Sequence, residues 1–201
     1  MLGRRAACAV AALLLAGAMA AADQIQLTRQ DADTLQQKLA LINRNAAVRT
    51  PRSQARAITI SERELNAYLR YHARNEMPVG VVEPYVWILG DGRVAGRAIV
   101  DLDVVRQQKP RGWTDPAGYL TGRLPVRATG TLTTRDGVGR FTLESAEVSG
   151  VTIPQFMLQE IVSHYTRSPE LPSGVALDAP FELPAAIREV KVGKGSATII
   201  Q

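Results

Sequence analysis

Apolar residues recur along this chain with two periods, one helical and one alternating, and the switches between them divide it into elements. Leu35, Leu39 and Ile42 fall at helical spacing within residues 31–48, with polar residues between them. That spacing predicts an amphipathic helix starting near Thr28 or Asp31. The stretch RTPRSQAR, residues 49–56, is polar, contains Pro51 and reads as a linker, and residues 57–60 suit a short strand. Ser61 and Glu64 then make an S-x-x-E capping box, in which the serine hydroxyl accepts from the third helical amide and the glutamate returns to the cap amide. Leu65, Tyr68, Leu69 and His72 share one face of the helix that follows, which Pro78 ends.

From Val81 the period becomes alternating. Residues 82–89 contain Tyr85, Trp87 and Ile88, Gly90-Asp91-Gly92 is a turn, and Val94, Gly96, Ala98, Val100, Leu102 and Val104 occupy alternate positions, with Arg97, Asp101 and Asp103 opposite. This is the pattern of an antiparallel hairpin with one dry face. Residues 107–119 hold two prolines and two glycines and read as a loop or broken helix. A second hairpin aligns Leu124, Val126, Ala128, Gly130 and Leu132, turns at Asp136-Gly137 and returns through Phe141 and Leu143. DGRVAGRA and DGVGRF, at the two turns, form a weak internal match that shared turn chemistry also produces. Pro154 opens a helix over residues 155–165, with Leu158, Ile161, Val162 and Tyr165 as its stripe. A proline-rich connection leads to a third hairpin around Gly193-Lys194-Gly195. The expected fold class is α+β: a curved antiparallel sheet of six to seven strands, a hairpin meander, wrapped around or packed on two to three amphipathic helices.

Charge and leader residues add a compartment. The opening MLGRRAACAVAALLLAGAMAAADQ has a basic Arg4-Arg5 region, an apolar run centred on Leu13–Leu15 and small-x-small cleavage positions after Ala20 or Ala22. It is the pattern of a secretory signal peptide over residues 1–22, with retention as an anchor the alternative. Residues 23–56 are then an N-terminal helix and linker, and 57–201 a single α+β domain. Cleavage removes Cys8, the single cysteine, and with it any disulfide or thiolate chemistry. It also takes the basic count from 24 to 22 against 19 acids, so that +5 becomes +3. That mild charge allows peripheral contact with an anionic bilayer, but no block of like charge marks a nucleic-acid site.

Catalytic chemistry finds little support. His72 and His164 each lie in a predicted helix without a second histidine at metal-pair spacing. Ser163 and His164 are neighbours on a helix and point about 100° apart, which gives no nucleophile–base geometry. Asp101 and Asp103 share a strand face, but a solvated hairpin face needs such residues anyway. Glycine turns such as GDGR and GKG lack the strand–loop–helix context of phosphate loops. The expectation is no enzyme, no cofactor and no metal.

The apolar strand faces are lined by Val, Leu, Ala and Gly, which leave room either for a tightly packed helix or for a groove. A groove would draw on Tyr85, Trp87, Val100, Leu102, Val126, Leu132, Phe141 and Leu143 from strands and on Leu65, Leu69, Leu158 and Ile161 from helices. Arg97, Lys109 and Arg111 are the candidates for anionic headgroups.

Four segments, ITISERELNAYL from Ile58, LPVRATGTL from Leu124, VTIPQFMLQEIV from Val151 and FELPAAIREVKVGKG from Phe181, resemble small extracytoplasmic domains of the LmeA-like and YpmS-like type. The resemblance spans residues 58–201 and rests on caps, turns and strand patterns. It implies a fold related to the tubular lipid-binding, TULIP-like proteins, with a phospholipid as ligand, and it transfers no catalytic motif. The resulting expectation is a periplasmic, non-enzymatic lipid-binding or lipid-transfer-like protein. The alternative is an envelope protein-interaction or assembly module with a filled core and no ligand.

Overall fold

The computed structural model describes residues 26–47, 54–108, 121–167 and 172–201; the signal-peptide segment and the headgroup candidates Lys109 and Arg111 lie outside them. The fold is α+β, with two antiparallel sheets. Two helices begin in the same way. α1 (Arg29–Ala46) starts at Thr28 and α2 (Glu62–Tyr71) at Ser61, each with a complete capping box closed by Asp31 and Glu64 respectively. Each of these acids also reaches the other helix: Arg63 Nε lies 2.9 Å from Asp31, and Lys38 Nζ lies 2.7 Å from Glu64. The same Lys38 ammonium donates to the Thr59 carbonyl at 2.7 Å. Capping and helix–helix registration therefore use the same two carboxylates.

The smaller sheet holds β1 (Ala57–Ser61), β8 (Glu189–Gly193) and β9 (Ser196–Ile200) in the order β1-β9-β8. Leu35 and Ile42 of α1 pack with Ile60 and Ile187 as the buried core, and Leu39, Leu65, Tyr68, Val190 and Ile199 close around them. α1 is thus part of the same core as the strands. Gln201, almost fully buried, donates to the carbonyls of Ile42 (2.9 Å) and Ala185 (2.6 Å) and accepts from Asn45 (3.0 Å).

The larger sheet runs β2 (Val81–Gly90), β3 (Arg93–Asp101), β4 (Arg123–Arg135), β5 (Val138–Val148) and the short β6 (Val151–Thr152); β7 (Phe181–Glu182) pairs with the start of β5. The third hairpin, expected to extend one meander, instead pairs with β1. It still touches the large sheet, through Gly195 N–H to Ile88 carbonyl at 2.8 Å and Thr134, which exchanges bonds with both Val190 N–H and carbonyl. α3 (Leu102–Gln108) and α4 (Gln155–Thr166) complete the order.

β3 stops earlier than its alternation suggests, and this corrects the Asp101–Asp103 strand pair and the placing of Leu102 and Val104 on a strand face. The Asp101 carboxylate accepts from the Val104 amide at 3.2 Å, so Asp101 caps α3, and Asp103 lies within that helix. Gly80 lies against this corner with φ +82° and offers its carbonyl to the Asp101 amide at 2.7 Å; a Cβ there would meet the Asp101 carbonyl at 2.7 Å. Only glycine suits both the backbone conformation and the space.

β2 is an edge strand, and α2 closes its outer rim with side chains. Asn66 Oδ1 accepts from Val86 N–H (2.7 Å), while its Nδ2 donates to the Val86 carbonyl (2.7 Å) and to the Glu62 carbonyl (2.9 Å). Glu62 accepts from Ile88 N–H at 2.7 Å. Asn66 is 1% exposed, so its loss would leave two backbone groups of Val86 without their buried partner. Asn66→Ala is expected to destabilise the protein by about 2–5 kcal/mol, read as a lower urea midpoint; a shift within error would show that water replaces the amide without cost.

The caps also predict a pH response. Burial pushes the Glu64 carboxyl up, but Lys38 and the Ser61 amide and hydroxyl together bring it below its ordinary value of 4.5. The Thr28 hydroxyl holds Asp31 below its ordinary 3.8, against burial and with help from the Thr28 amide and Arg63. Groups depressed in the folded state stabilise it above their unfolded values, and that contribution is lost as pH falls through the folded ones. The thermal midpoint should therefore drop on going from about pH 5 to pH 3. Glu64→Gln should reduce the size of that drop; an unchanged slope in the variant would remove Glu64 from the explanation.

Candidate functional site

Strand register sorts the expected groove residues onto two faces. Val100 pairs with Leu124, Ala98 with Val126, Val126 with Val148, Gly130 with Leu143 and Leu132 with Phe141. Paired residues in an antiparallel ladder project to the same side, so Val100, Val126, Leu132, Phe141 and Leu143 share one apolar face of the large sheet. All five are half-buried. Tyr85 pairs with Arg97 and Trp87 with Ala95, which puts both aromatic rings on the opposite face with Arg127, Thr129 and Glu147. Leu102 is buried at the start of α3 instead of lining either face.

The apolar face is bordered by the small sheet at the turn end, by α3 at the other end and by α4 beside β5. Leu158 and Ile161 of α4 are half-buried, and so is Leu65 of α2, which belongs to the small-sheet core. Sequence reasoning missed Gln159, which fixes α4 by bonding the Val175 carbonyl at 3.0 Å and the Leu177 amide at 2.8 Å. A polar residue inside an apolar helical stripe was the available signal. Phe141 lies over Gly130, where a Cβ would run into its ring and stand 2.6 Å from the Thr142 carbonyl.

A second feature lies where α2 meets the edge of β2. A cleft of about 720 Å³ is walled by Leu27, Leu69, Met77, Val81, Val82, Pro84 and Tyr85, with Asn66, Arg70, Arg74, Glu83 and Arg97 as its polar members. It unites three of the expected site residues, Leu69, Tyr85 and Arg97. Arg70 and Arg74, four residues apart after Asn66, are the members that sequence reasoning passed over. The Tyr85 and Trp87 rings are 4.8 Å apart, and the Arg97 guanidinium sits 5.6 Å from one and 5.7 Å from the other. Burial, then the Glu62 carboxylate, push the Tyr85 phenol above its ordinary value, with Arg97 pulling the other way. A β-bulge at Glu83 and Pro84, with Glu83 at φ +53°, bends β2 around this cleft.

Outside these two places, His72 Nε2 lies 2.7 Å from the exposed Asp33 carboxylate, and His164 is half-buried in α4. Among the described residues no three His, Cys, Asp or Glu side chains gather as a metal site, and no helix is long and apolar enough to cross a membrane.

Among the described residues, fold and site define an α+β protein with a half-buried apolar sheet face and an arginine-bearing cleft between α2 and β2. No family model matches the chain, and no curated protein matches it. Among solved structures it is similar to the crystal structure of a lipopolysaccharide binding protein, at 15% identity and a TM-score of 0.24, over 77% of this chain and 45% of that one. The chain thus spans less than half the length of that protein, and a likeness at this level fixes neither fold nor ligand.

Gly130→Ala tests the packing of the apolar face. With a ring and a backbone carbonyl in the way, it is expected to cost about 1–3 kcal/mol in urea unfolding. A wild-type midpoint would mean that Phe141 swings aside freely.

Proposed function

We propose that this chain is a non-enzymatic lipid-binding protein of the cell envelope that holds acyl chains against the apolar face of its large sheet. The observation that carries the reading is that Val100, Val126, Leu132, Phe141 and Leu143, all half-buried, line one continuous apolar sheet face. Each hundred Å² of that surface covered by an acyl chain contributes about 2.5 kcal/mol against the cost of association. The leader-like pattern of residues 1–22 supports an extracytoplasmic location, and acyl chains need only contact, with no covalent step.

A second reading, a module that binds another envelope protein, draws on one observation. Phe156 is 71% exposed and Val151 64%, beside Met157, at the β6–α4 junction. Apolar side chains clustered this openly are a common mark of interaction surfaces.

Native mass spectrometry of the gently extracted protein, with and without added phospholipid, separates the two. Lipid binding predicts adducts at phospholipid mass, with several-fold lower occupancy in the double variant Val100→Thr, Val126→Thr, whose strands keep their β-branched residues. Absence of adducts at every lipid ratio would sink the lipid reading; a single stoichiometric cross-linked partner without lipid would establish the second.

A further inference from the structure

We infer that the cleft between α2 and β2 is a receptor for a phosphate-bearing anionic group, the headgroup end of an amphiphile whose apolar part lies along the cleft wall. The inference rests on the lipid reading above and assigns the class of ligand and the residues that recognise it.

Three guanidinium groups border the cleft, from Arg70, Arg74 and Arg97, against a single carboxylate, Glu83. None of the three is ion-paired or hydrogen-bonded to a described residue, whereas the neighbouring cations are engaged: Arg63 with Asp31, Lys38 with Glu64 and Arg93 with Glu144. Arg97 makes cation–π contacts with Tyr85 and Trp87, which use no N–H donor and leave its guanidinium able to bond an oxyanion bidentately. Arg70 and Arg29 both lie over the Tyr71 ring, at 5.6 and 5.2 Å, adding positive potential at the same end of α2. The Tyr71 hydroxyl donates to the Leu27 carbonyl at 3.0 Å and so fixes Leu27 as part of the wall.

The remaining walls decide between a free anion and an amphiphile. Leu27, Leu69, Met77, Val81 and Val82 are half-buried and apolar, and a volume of about 720 Å³ far exceeds what one phosphate fills. An ester carrying glycerol and the first methylenes of its chains uses both the cations and the apolar wall. Val81 pairs with Val100 and Val82 with Ile99, so the cleft wall at the edge of β2 includes a residue from each sheet face. Chains leaving the headgroup therefore start beside the face that carries Val100.

Calorimetric titration of the full chain with three soluble probes tests this: inorganic phosphate, dihexanoyl phosphatidylglycerol and dihexanoyl phosphatidylcholine. The phosphatidylglycerol is expected to bind about tenfold more tightly than inorganic phosphate and several-fold more tightly than the net-neutral phosphatidylcholine. The double variant Arg74→Gln, Arg97→Gln should weaken it about tenfold or more, and Glu83→Gln should strengthen it by removing the carboxylate that lines the cleft. Unchanged affinity in the arginine variant, with long-chain adducts still lost in Val100→Thr, Val126→Thr, would overturn this inference and leave the lipid reading intact. Inorganic phosphate binding as tightly as the phospholipid would overturn the headgroup assignment in favour of a free-anion site. Anionic probes that bind a chain showing no long-chain adducts would instead keep the anion site and remove the lipid reading.

Discussion

The rim of β2 is the constraint around which this protein is arranged. An unpaired strand edge is a row of open donors and acceptors, and a sheet that leaves one exposed invites another chain. Here α2 closes that rim with two side chains one turn apart. Asn66 takes both backbone groups of Val86, and Glu62 takes the amide of Ile88. The Gly195 amide covers the Ile88 carbonyl, and Pro84 contributes no amide at all. The helix thereby serves as a seventh strand for two residues, and the position of α2 relative to the large sheet follows from hydrogen-bond geometry as much as from apolar packing.

The far side of the sheet is handled differently. β5 is flanked by two-residue strands, β7 at its start and β6 at its end, so its rim is covered at both ends. Between them β5 bulges: Leu143 faces Gly130 and Ser145 faces Thr129, leaving Glu144 as the extra residue. Its carboxylate accepts from Thr131 of β4 at 2.6 Å and from Arg93 of β3 at 3.1 Å, tying the bulge back across the sheet face. Side-chain capping on one rim and a bulge with short flanking strands on the other allow an open sheet to keep one apolar face without a flat, unpaired border.

Much of this architecture was legible in the sequence because it depends on local chemistry. The Ser61–Glu64 capping box, the helical stripes, the Asp-Gly turns and the strand alternation are readable within a few residues, whereas Asp31 was placed near a helix start without its box to Thr28. What escaped depends on pairing. Tyr85 and Trp87 alternate with Val86 and Ile88, so both faces of β2 look apolar in one dimension. Only the register against Arg97 and Ala95 shows that the aromatics leave the aliphatic face. Asp103 failed as a strand residue because β3 ends at Asp101, whose carboxylate takes the Val104 amide, and a cap competes with alternation wherever an aspartate ends a strand. Asn66 was the larger omission: a buried amide within an apolar helical face is costly unless fully bonded, and that cost is itself a signal of a structural partner.

The same helix connects stability to the site. Asn66 serves the strand rim and also lies in the wall of the cleft, one turn before Arg70, with Arg74 one step further along the chain. Because the amide fixes α2 against Val86, the arginine-bearing end of the helix is set at a fixed distance from Tyr85 and Arg97 on the sheet. The Glu83–Pro84 bulge then bends the strand beside the cleft. A rigid contact at one point of an edge and an irregularity two residues earlier together create a space that neither element would enclose alone. The segment ISERELNAYL is therefore structural in every residue that hydrogen-bonds, and by position it sets Arg70 and Leu69 in the wall of the cleft beside β2.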